Sequence, residues 1–333
     1  MKRTLIVCLI TVVILISTSH YGQDQTPPTD TVAPEIPGVI RGGTKIEVVV
    51  ASVAGREDPN VRLQGTEGPI ALPDGNMVFC ETIVGQVAKI ERTGSKSLFM
   101  DAARAGGPNG LTWDSKGRLI GATTAAGMIG VRVIYPVASQ AMLVDSFEGK
   151  PFGRPNDLIA DKKGGIYFTD PANVPEPPLP PAVYYLPPNG DKAMKVVDDV
   201  NPNGVSLSPD ERVLYVNTRE GGYILAFDVQ NDGTLRNRRN FAKYEDLAVR
   251  DGRVVGGGDG FTVDTTGRLY TAAAGKVQVF SPDGKYLGSF APSKGPQNLA
   301  FAGPDMKTLY IVGGGSVFKV EMLAQGIKAR GGK

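Results

Sequence analysis

Short apolar strands and polar turns alternate along most of the chain, and together they form a repeat. Each copy has one polar residue, a short strand, a turn rich in Asp, Gly or Lys, and a second strand. In the copy that begins at Asn156, NDLIADKKGGIYFTDP, the turn KKGG joins two apolar segments as in a β-hairpin. The other copies begin at Glu67 (EGPIALPDGNMVFCET), Asn109 (NGLTWDSKGRLIGATT), Asn203 (NGVSLSPDERVLYVNT), Asp259 (DGFTVDTTGRLYTAAA) and Gln297 (QNLAFAGPDMKTLYIVGG).

The spacing of these copies predicts an all-β fold, a six-bladed β-propeller with four-stranded blades around a central channel. Successive copies start 38 to 56 residues apart, a period typical of solenoids and propellers. Each period has room for four strands, and frequent Gly and Pro residues disfavour helical repeats. Only SVFKVEML follows the sixth copy, one strand short of a full blade. We expect the N-terminal strand KIEVVVAS, Lys45 to Ser52, to supply the missing edge and close the ring.

The polar residue at the start of each copy is a candidate functional residue. The first strand of each propeller blade lines the channel, so these six side chains should form one ring at one face. Asn and Asp also favour turns before strands, which is a structural explanation for any single position. That explanation does not extend to a Glu and a Gln, so we interpret the whole set as functional. We call it the axial ring: Glu67, Asn109, Asn156, Asn203, Asp259 and Gln297.

The axial ring offers carboxylate and amide oxygens as its metal ligands, and it contains no imidazole or thiolate. Such a set suits a hard divalent cation. Ca²⁺ accepts six to eight oxygens in a loose geometry, whereas Mg²⁺ requires a tight octahedron and retains its waters. The sequence therefore predicts one bound divalent ion. Ca²⁺ is favoured, and Zn²⁺, Mn²⁺ or Mg²⁺ are possible replacements.

The N-terminal region has the composition of an export signal and a linker. Lys2 and Arg3 precede an apolar run of 12 residues, which is typical of a cleaved signal peptide and short for a membrane anchor. The Pro-rich stretch that follows has no periodicity and predicts an extended tether. We therefore expect an exported protein, periplasmic or secreted. The predicted organisation is a signal peptide at 1–22, a tether at 23–43, the propeller at 44–325 and a flexible C-terminal tail at 326–333.

Removal of the signal peptide would limit the chemistry available to the folded domain. The formal net charge of +2 comes from Lys2 and Arg3, so the mature chain has no basic surplus to attract nucleic acid or a membrane surface. His20, the only histidine, lies at the predicted cleavage region. Its loss excludes Ser-His and Cys-His catalysis, His-ligated zinc and the base of a quinoprotein dehydrogenase. Cys80 would remain as the only cysteine, so no intrachain disulfide could form.

Four repeated motifs resemble a known family. EGP at Glu67, RPND at Arg154, PNG at Pro202 and DGFTVD at Asp259 are similar to motifs of the SMP-30/gluconolactonase family of calcium-dependent, six-bladed lactonases. The likeness extends from Glu67 to the C-terminus. The resemblance implies that Arg154 orients the substrate. It also implies four metal ligands: Glu67, Asn156, Asn203 and Asp259.

The axial ring and the resemblance together predict a metal-dependent hydrolase that opens the ring of a small, sugar-lactone-like substrate. Asp259 is the first candidate for the base that activates water, with the ion polarising the carbonyl. Asp157 is the second candidate, although strand alternation turns it away from Asn156. Arg154, Asn109 and Gln297 are the candidate substrate contacts. A related phosphotriester hydrolase and a non-catalytic ligand- or protein-binding propeller with a structural calcium stay open, as do the identity of the lactone and the oligomeric state.

The loops that follow the second strand of each blade should overhang the axial ring, because second strands return to the face where first strands begin. One of them has six prolines in eleven residues and predicts a stiff wall rather than a mobile flap. The loops are residues 81–85, 123–128, 171–181, 217–221 and 272–275.

Overall fold

The computed structural model describes residues 26–55, 65–250 and 252–328, and it confirms the six-bladed β-propeller. Six antiparallel sheets surround a central channel, and each contains the four strands of one blade. The predicted signal peptide at residues 1–22 lies outside the described residues. Within the described part of the chain, no helix is both long enough and apolar enough to cross a lipid bilayer.

The strands are numbered in chain order. Two precede the first blade: β1 (Thr31–Val32) and β2 (Lys45–Val50). The first blade contains β3 (Glu67–Ala71), β4 (Met77–Glu81), β5 (Gln86–Ile90) and β6 (Lys96–Met100), and a short helix α1 (Ala102–Ala105) follows it. The second blade contains β7 (Pro108–Trp113), β8 (Leu119–Thr123), β9 (Gly130–Tyr135) and β10 (Ala141–Val144), with a 3₁₀ turn at Val137–Ser139.

A two-stranded ribbon of β11 (Ser146–Phe147) and β12 (Lys150–Pro151) leads to the third blade. That blade contains β13 (Leu158–Ala160), β14 (Ile166–Asp170), β15 (Ala182–Leu186) and β16 (Met194–Val197). The fourth contains β17 (Pro202–Leu207), β18 (Val213–Thr218), β19 (Tyr223–Val229) and β20 (Leu235–Lys243), and a second ribbon of β21 (Ala248–Arg250) and β22 (Arg253–Val255) follows. The fifth contains β23 (Phe261–Val263), β24 (Leu269–Ala273), β25 (Lys276–Phe280) and β26 (Tyr286–Phe290). The sixth contains β27 (Asn298–Ala302), β28 (Thr308–Gly313) and β29 (Ser316–Glu321).

The apolar core lies between the blades. Every residue of β4, β8, β14 and β24 is buried, because neighbouring blades cover both faces of these strands. Their sequences are therefore nearly continuous apolar runs rather than strict alternations. The outermost strands β6 and β20 expose most of their residues to solvent. The innermost strands β3, β7, β13, β17, β23 and β27 contact one another in this order around the channel, and β27 meets β3.

Aspartate side chains stabilise the hairpin turns between first and second strands. Asp114 Oδ1 accepts hydrogen bonds from the backbone N–H groups of Lys116 (2.9 Å) and Arg118 (2.8 Å). Asp264 makes the same contacts with the equivalent turn of the fifth blade. Each turn also has a glycine with positive φ, at Gly117 and at the equivalent position of the fifth blade. This recurring turn chemistry fixes the hairpin register in each copy.

The segment before the first blade packs on the propeller instead of forming a tether. β2 pairs antiparallel with β29, which completes four strands in the sixth blade, and β1 pairs with β2. Ile36, Val39 and Ile40 are buried in the core cluster of the sixth blade. The prediction of an extended tether is therefore wrong for residues 26–43. The prediction used composition alone, and a few buried apolar residues among the prolines are enough to anchor the segment on the propeller.

The first residues of the predicted flexible tail pack on the propeller. Gly326 forms a β-bridge with Asp264, and its N–H donates to the Met306 carbonyl at 2.8 Å. Any side chain at Gly326 would clash, because a Cβ there would lie 2.1 Å from the Cβ of Phe301. Ile327 packs against buried residues of the fourth and fifth blades. Residues 326–328 are thus part of the domain, and residues 329–333 lie outside the described residues.

The packed N-terminal segment should contribute measurably to stability. Ile40 is fully buried and Val32 is 64% exposed. We expect Ile40→Ala to lower the free energy of unfolding by about 2 to 5 kcal/mol, the usual cost of emptying a buried site. The matched control Val32→Ala should change it by less than about 0.5 kcal/mol. Chemical denaturation of both variants would check this, and equal stability of Ile40→Ala and the parent would show that the segment is detached.

Candidate metal and substrate site

The six side chains of the axial ring lie around one cavity at one end of the channel. The cavity has a volume of about 620 Å³, and we call it the site cavity. Arg154, the predicted substrate contact, also lines it. Sequence reasoning missed the polar side chains of Thr82, Asn173 and Arg219, which complete the polar wall together with backbone of residues 256–258 and 295–296.

Local backbone features direct the axial-ring side chains toward the channel. β-Bulges interrupt strand pairing beside Glu67, Asn109 and Asn203, at the start of β3, β7 and β17. Bulges re-aim side chains next to functional sites. The residue after most ring members is glycine, and a Cβ on Gly68 would lie 2.3 Å from the Asn109 carbonyl oxygen. These glycines therefore let neighbouring inner strands approach closely enough for the ring side chains to meet.

Glu67 is the most enclosed carboxylate of the axial ring, at 7% exposure. It accepts hydrogen bonds of 3.3 Å from Gln297 Nε2 and from Asn298 Nδ2. Asn298 was not predicted as a site residue. The sequence does set Asn298 apart, because it directly follows a ring residue at a position where four other copies have glycine.

Asp157 occupies the same position in the third copy, and the structure places it beside the ring rather than in the site cavity. Its carboxylate accepts hydrogen bonds from the backbone N–H groups of Leu158 (2.9 Å) and Val205 (3.0 Å). Asp157 therefore links the third blade to the fourth. It lines a second, smaller cavity of about 140 Å³ that continues the channel toward the opposite face.

Burial makes it costly to ionise the carboxyl groups of the channel. It raises the pKa of Glu67 well above its usual range, and the charge of Asp259 adds to the increase. Burial also raises the pKa of Asp259 to about 6, although the charge of Arg219 and a hydrogen bond from Asn203 oppose this. The pKa of Asp157 rises to about 7, again mainly through burial and despite its backbone hydrogen bonds. A cation bound in the site cavity would favour the charged forms of Glu67 and Asp259 and so offset the cost of their burial.

The donor atoms of the ring fit a divalent ion. Asn203 is 3% exposed, and its Oδ1 is buried without a hydrogen-bond partner. An orphaned buried oxygen is expected where a cation binds. Among the described residues, no three His, Cys, Asp or Glu side chains form a group that could hold a metal. In a metal site here, amide oxygens would have to complete the ligand set, which would suit Ca²⁺ better than softer metals.

A buried hydrogen-bond network holds the backbone of Asp259. Asn217 Nδ2 donates to the Asp259 carbonyl and, at 2.9 Å, to Thr271 Oγ1. The Tyr244 hydroxyl donates to Asn217 Oδ1 at 2.6 Å. All three supporting side chains are at most 2% exposed, so their rotamers are held by packing. Nothing in the repeat pattern pointed to Asn217 or Tyr244, because Asn217 lies on the second strand of its blade and Tyr244 directly follows the fourth.

Arg154 lies on a loop that is organised by a buried carboxylate. Asp170, at the end of β14, accepts hydrogen bonds from the backbone N–H groups of Gly153 (2.7 Å) and Arg154 (2.9 Å). Its Oδ1 also accepts from the N–H of Ala172 at 2.9 Å. Asp170 therefore fixes the loop before β13 and the start of the proline-rich loop at residues 171–181 together.

The predicted overhanging loops contribute unequally to the site cavity. Three of these loops line the cavity with one side chain each: the loop at 81–85 with Thr82, the loop at 171–181 with Asn173, and the loop at 217–221 with Arg219. The loops at 123–128 and 272–275 supply no lining residue. The fifth and sixth blades instead contribute backbone that precedes their inner strands.

Most of the chain matches one known protein family. The sequence model of that family, the SMP-30/Gluconolactonase/LRE-like region, matches residues 65–314. This range starts just before Glu67 and includes every member of the axial ring.

Individual relatives agree with this match over most of the chain. The chain is 28% identical to a gluconolactonase of Zymomonas mobilis, over 86% of this chain and 84% of that protein. It is 27% identical to a pentonolactonase of Haloferax volcanii, over 75% of this chain and 81% of that protein. A solved structure of a gluconolactonase from Xanthomonas campestris superposes with a TM-score of 0.73 at 28% identity, covering 90% of this chain and 96% of that one. With its six blades, its axial ring and these relatives, the chain belongs to the SMP-30/gluconolactonase/LRE-like family.

Proposed function

We propose that this protein is a metal-dependent hydrolase that opens the ester bond of a small lactone, with Ca²⁺ as its preferred ion. The observation that carries the proposal is the axial ring, whose six oxygen-bearing side chains, two of them carboxylates, surround one cavity. Relatives that are named as gluconolactonase and pentonolactonase support the substrate class. We also propose that the protein acts outside the cytoplasm, since the first 22 residues are typical of an export signal.

Glu67, Asn156, Asn203 and Asp259 are the proposed metal ligands. Two of them carry a negative charge, which matches a divalent cation. The unpartnered Asn203 Oδ1 and the repulsion between Glu67 and Asp259 both support this choice. When bound, the ion would supply Lewis-acid polarisation of the lactone carbonyl.

The side chains of the site cavity then have separate roles. Asp259 accepts a proton from the water that attacks the carbonyl carbon, and it returns that proton to the ring oxygen as the ester C–O bond breaks. The product is the open hydroxy acid. The substrate is held in the site cavity by three side chains: Asn109 and Gln297 of the axial ring, and Arg154 beside it. Asp157 is the second candidate base, but its carboxylate is occupied by two backbone N–H groups and lies outside the lining of the site cavity.

Glu67 should affect both the affinity for Ca²⁺ and the thermal stability of the protein. We expect the purified protein to hold about one equivalent of Ca²⁺ after dialysis, and Ca²⁺ to raise its Tm. Glu67→Gln should weaken Ca²⁺ binding by about tenfold or more, because one of two ligand charges is lost. At neutral pH the metal-free variant should be at least as stable as the metal-free parent, since burial of the Glu67 charge opposes folding there.

Elemental analysis and thermal unfolding, with and without Ca²⁺, would measure both effects. Glu47→Gln is the matched control, because Glu47 pairs with Lys319 on an outer strand and should not change metal content. Equal Ca²⁺ content in the parent and in Glu67→Gln would count against the proposed ligand set.

Small five- and six-membered lactones should be hydrolysed, and a chelator should abolish the activity. Proton release from a lactone panel, measured with and without EDTA and after adding back Ca²⁺, would test this. Activity on phosphotriesters alone would favour the related hydrolase. Inactivity on both panels with a tightly bound ion would favour a non-catalytic binding propeller.

Asp259→Asn should separate metal binding from proton transfer. The substitution keeps an oxygen ligand of the same shape but removes the basic carboxylate. At saturating Ca²⁺ we expect kcat to fall by about 100-fold or more, the usual contribution of a general base. Metal content must be measured in the same sample. A fully metallated Asp259→Asn enzyme with near-normal kcat would show that another group activates the water, and Asp157→Asn would be the next variant to test.

A further inference from the structure

Two arginines line the site cavity together with the axial ring. Arg154 comes from the loop before β13, and Arg219 comes from the loop after β18. Among the ion pairs of the described residues, neither guanidinium group has a carboxylate within 4.0 Å. Other arginines of the propeller do form ion pairs, such as Arg239 with Asp228 at 2.7 Å and Arg268 with Asp264 at 2.6 Å.

The position of Arg219 is built into the fold. Its backbone N–H donates to the Asn201 carbonyl at 3.4 Å. Gly257 packs so tightly on this loop that a Cβ there would lie 2.4 Å from the Arg219 carbonyl oxygen. Arg219 lines the same cavity as Asp259 and the other members of the axial ring. The backbone of Arg219 is therefore fixed beside the site cavity, and its side chain is exposed at the mouth.

The charges of the site cavity do not balance for a neutral substrate. Among the described residues that line the cavity, Glu67 and Asp259 are the acidic ones, and a divalent ion would match their two charges. The carboxylate of Asp170 lies near Arg154 but accepts hydrogen bonds from backbone N–H groups. The guanidinium groups of Arg154 and Arg219 therefore give the lining a positive excess. The site cavity of about 620 Å³ has the size of a small-molecule site and is much larger than an ion requires. Guanidinium groups bind carboxylate and phosphate oxygens by paired hydrogen bonds.

We propose that the preferred substrate is a lactone that also carries an anionic group, a carboxylate or a phosphate, which Arg219 binds together with Arg154. This inference rests on the proposed lactone hydrolysis and specifies its substrate class. Arg219 is then a specificity-determining residue: it holds the end of the substrate that is remote from the ester bond.

Matched substrate pairs would test the assignment. Glucono-δ-lactone is compared with its phosphate ester at the primary hydroxyl, and glucono-γ-lactone with glucaro-γ-lactone, in which a carboxylate replaces the primary alcohol. We expect kcat/KM to be higher for the anionic member of at least one pair, and the preferred pair identifies the group. We also expect kcat/KM for that substrate to fall as ionic strength rises, because the attraction is electrostatic.

Arg219→Gln should lower kcat/KM for the anionic lactone by about 10- to 100-fold, the effect of losing a charged hydrogen-bond pair. The neutral partner should lose far less, and Arg219→Lys should lie between parent and Arg219→Gln for the anionic substrate. Arg212→Gln is the matched control, since Arg212 is 86% exposed in a hairpin turn away from the site cavity. It should leave both substrates unchanged.

The outcomes separate this inference from the proposed function. Equal kcat/KM for neutral and anionic lactones, with Arg219→Gln affecting both alike, would overturn the anionic substrate and leave lactone hydrolysis standing. If the parent protein hydrolyses neither member of either pair, the proposed function fails and this inference fails with it.

Discussion

The repulsion between carboxylates at the channel axis is the constraint on which the rest of this structure depends. Glu67 and Asp259 come from different blades. Burial raises the pKa of both carboxyl groups, and the charge of Asp259 raises that of Glu67 further. Side chains on a flexible loop would move apart under this repulsion. Here each carboxylate starts or precedes an inner strand whose neighbours contact it on both sides around the ring. The propeller therefore holds like charges together, which is the preorganisation that the proposed cation site would require.

Closure of the ring is what makes this possible. β2 from the N-terminal region pairs with β29 from the C-terminal region, so the sixth blade contains both ends of the domain. The apolar residues Ile36 and Ile40 cover that blade, and the Val39 carbonyl accepts hydrogen bonds from the N–H groups of Leu323 and Ala324. A propeller without this closure would present open sheet edges and could spread at one side. The rigidity of the site is therefore maintained by contacts on the outer surface of the domain.

Family membership constrains the chemistry less than the site does. Propellers carry many unrelated functions, so the function has to be argued from the axial ring and the loops above it. The ring supplies the part that any metal-dependent member of this fold needs: hard oxygen ligands and a carboxylate beside them. The loops at 171–181 and 217–221 add Asn173 and Arg219. Unlike the side chains of the ring, these two are exposed to solvent, at the mouth of the site cavity. In the proposed function the ring would carry out the reaction, and the loops would select the substrate.

The blade number, the turn positions and the members of the axial ring could be predicted from the sequence. These features repeat along the chain, and each copy depends on local patterns of apolar strands, turn residues and one leading polar residue. The tertiary structure alone decided which residues support and surround the ring. Asn298 reaches Glu67 across 231 positions of sequence, and Asn217 reaches Asp259 across 42. The packing of residues 26–43 and of Gly326 likewise depends on partners far along the chain, because burial is a property of the assembled blades and leaves no periodic signal in short, irregular segments.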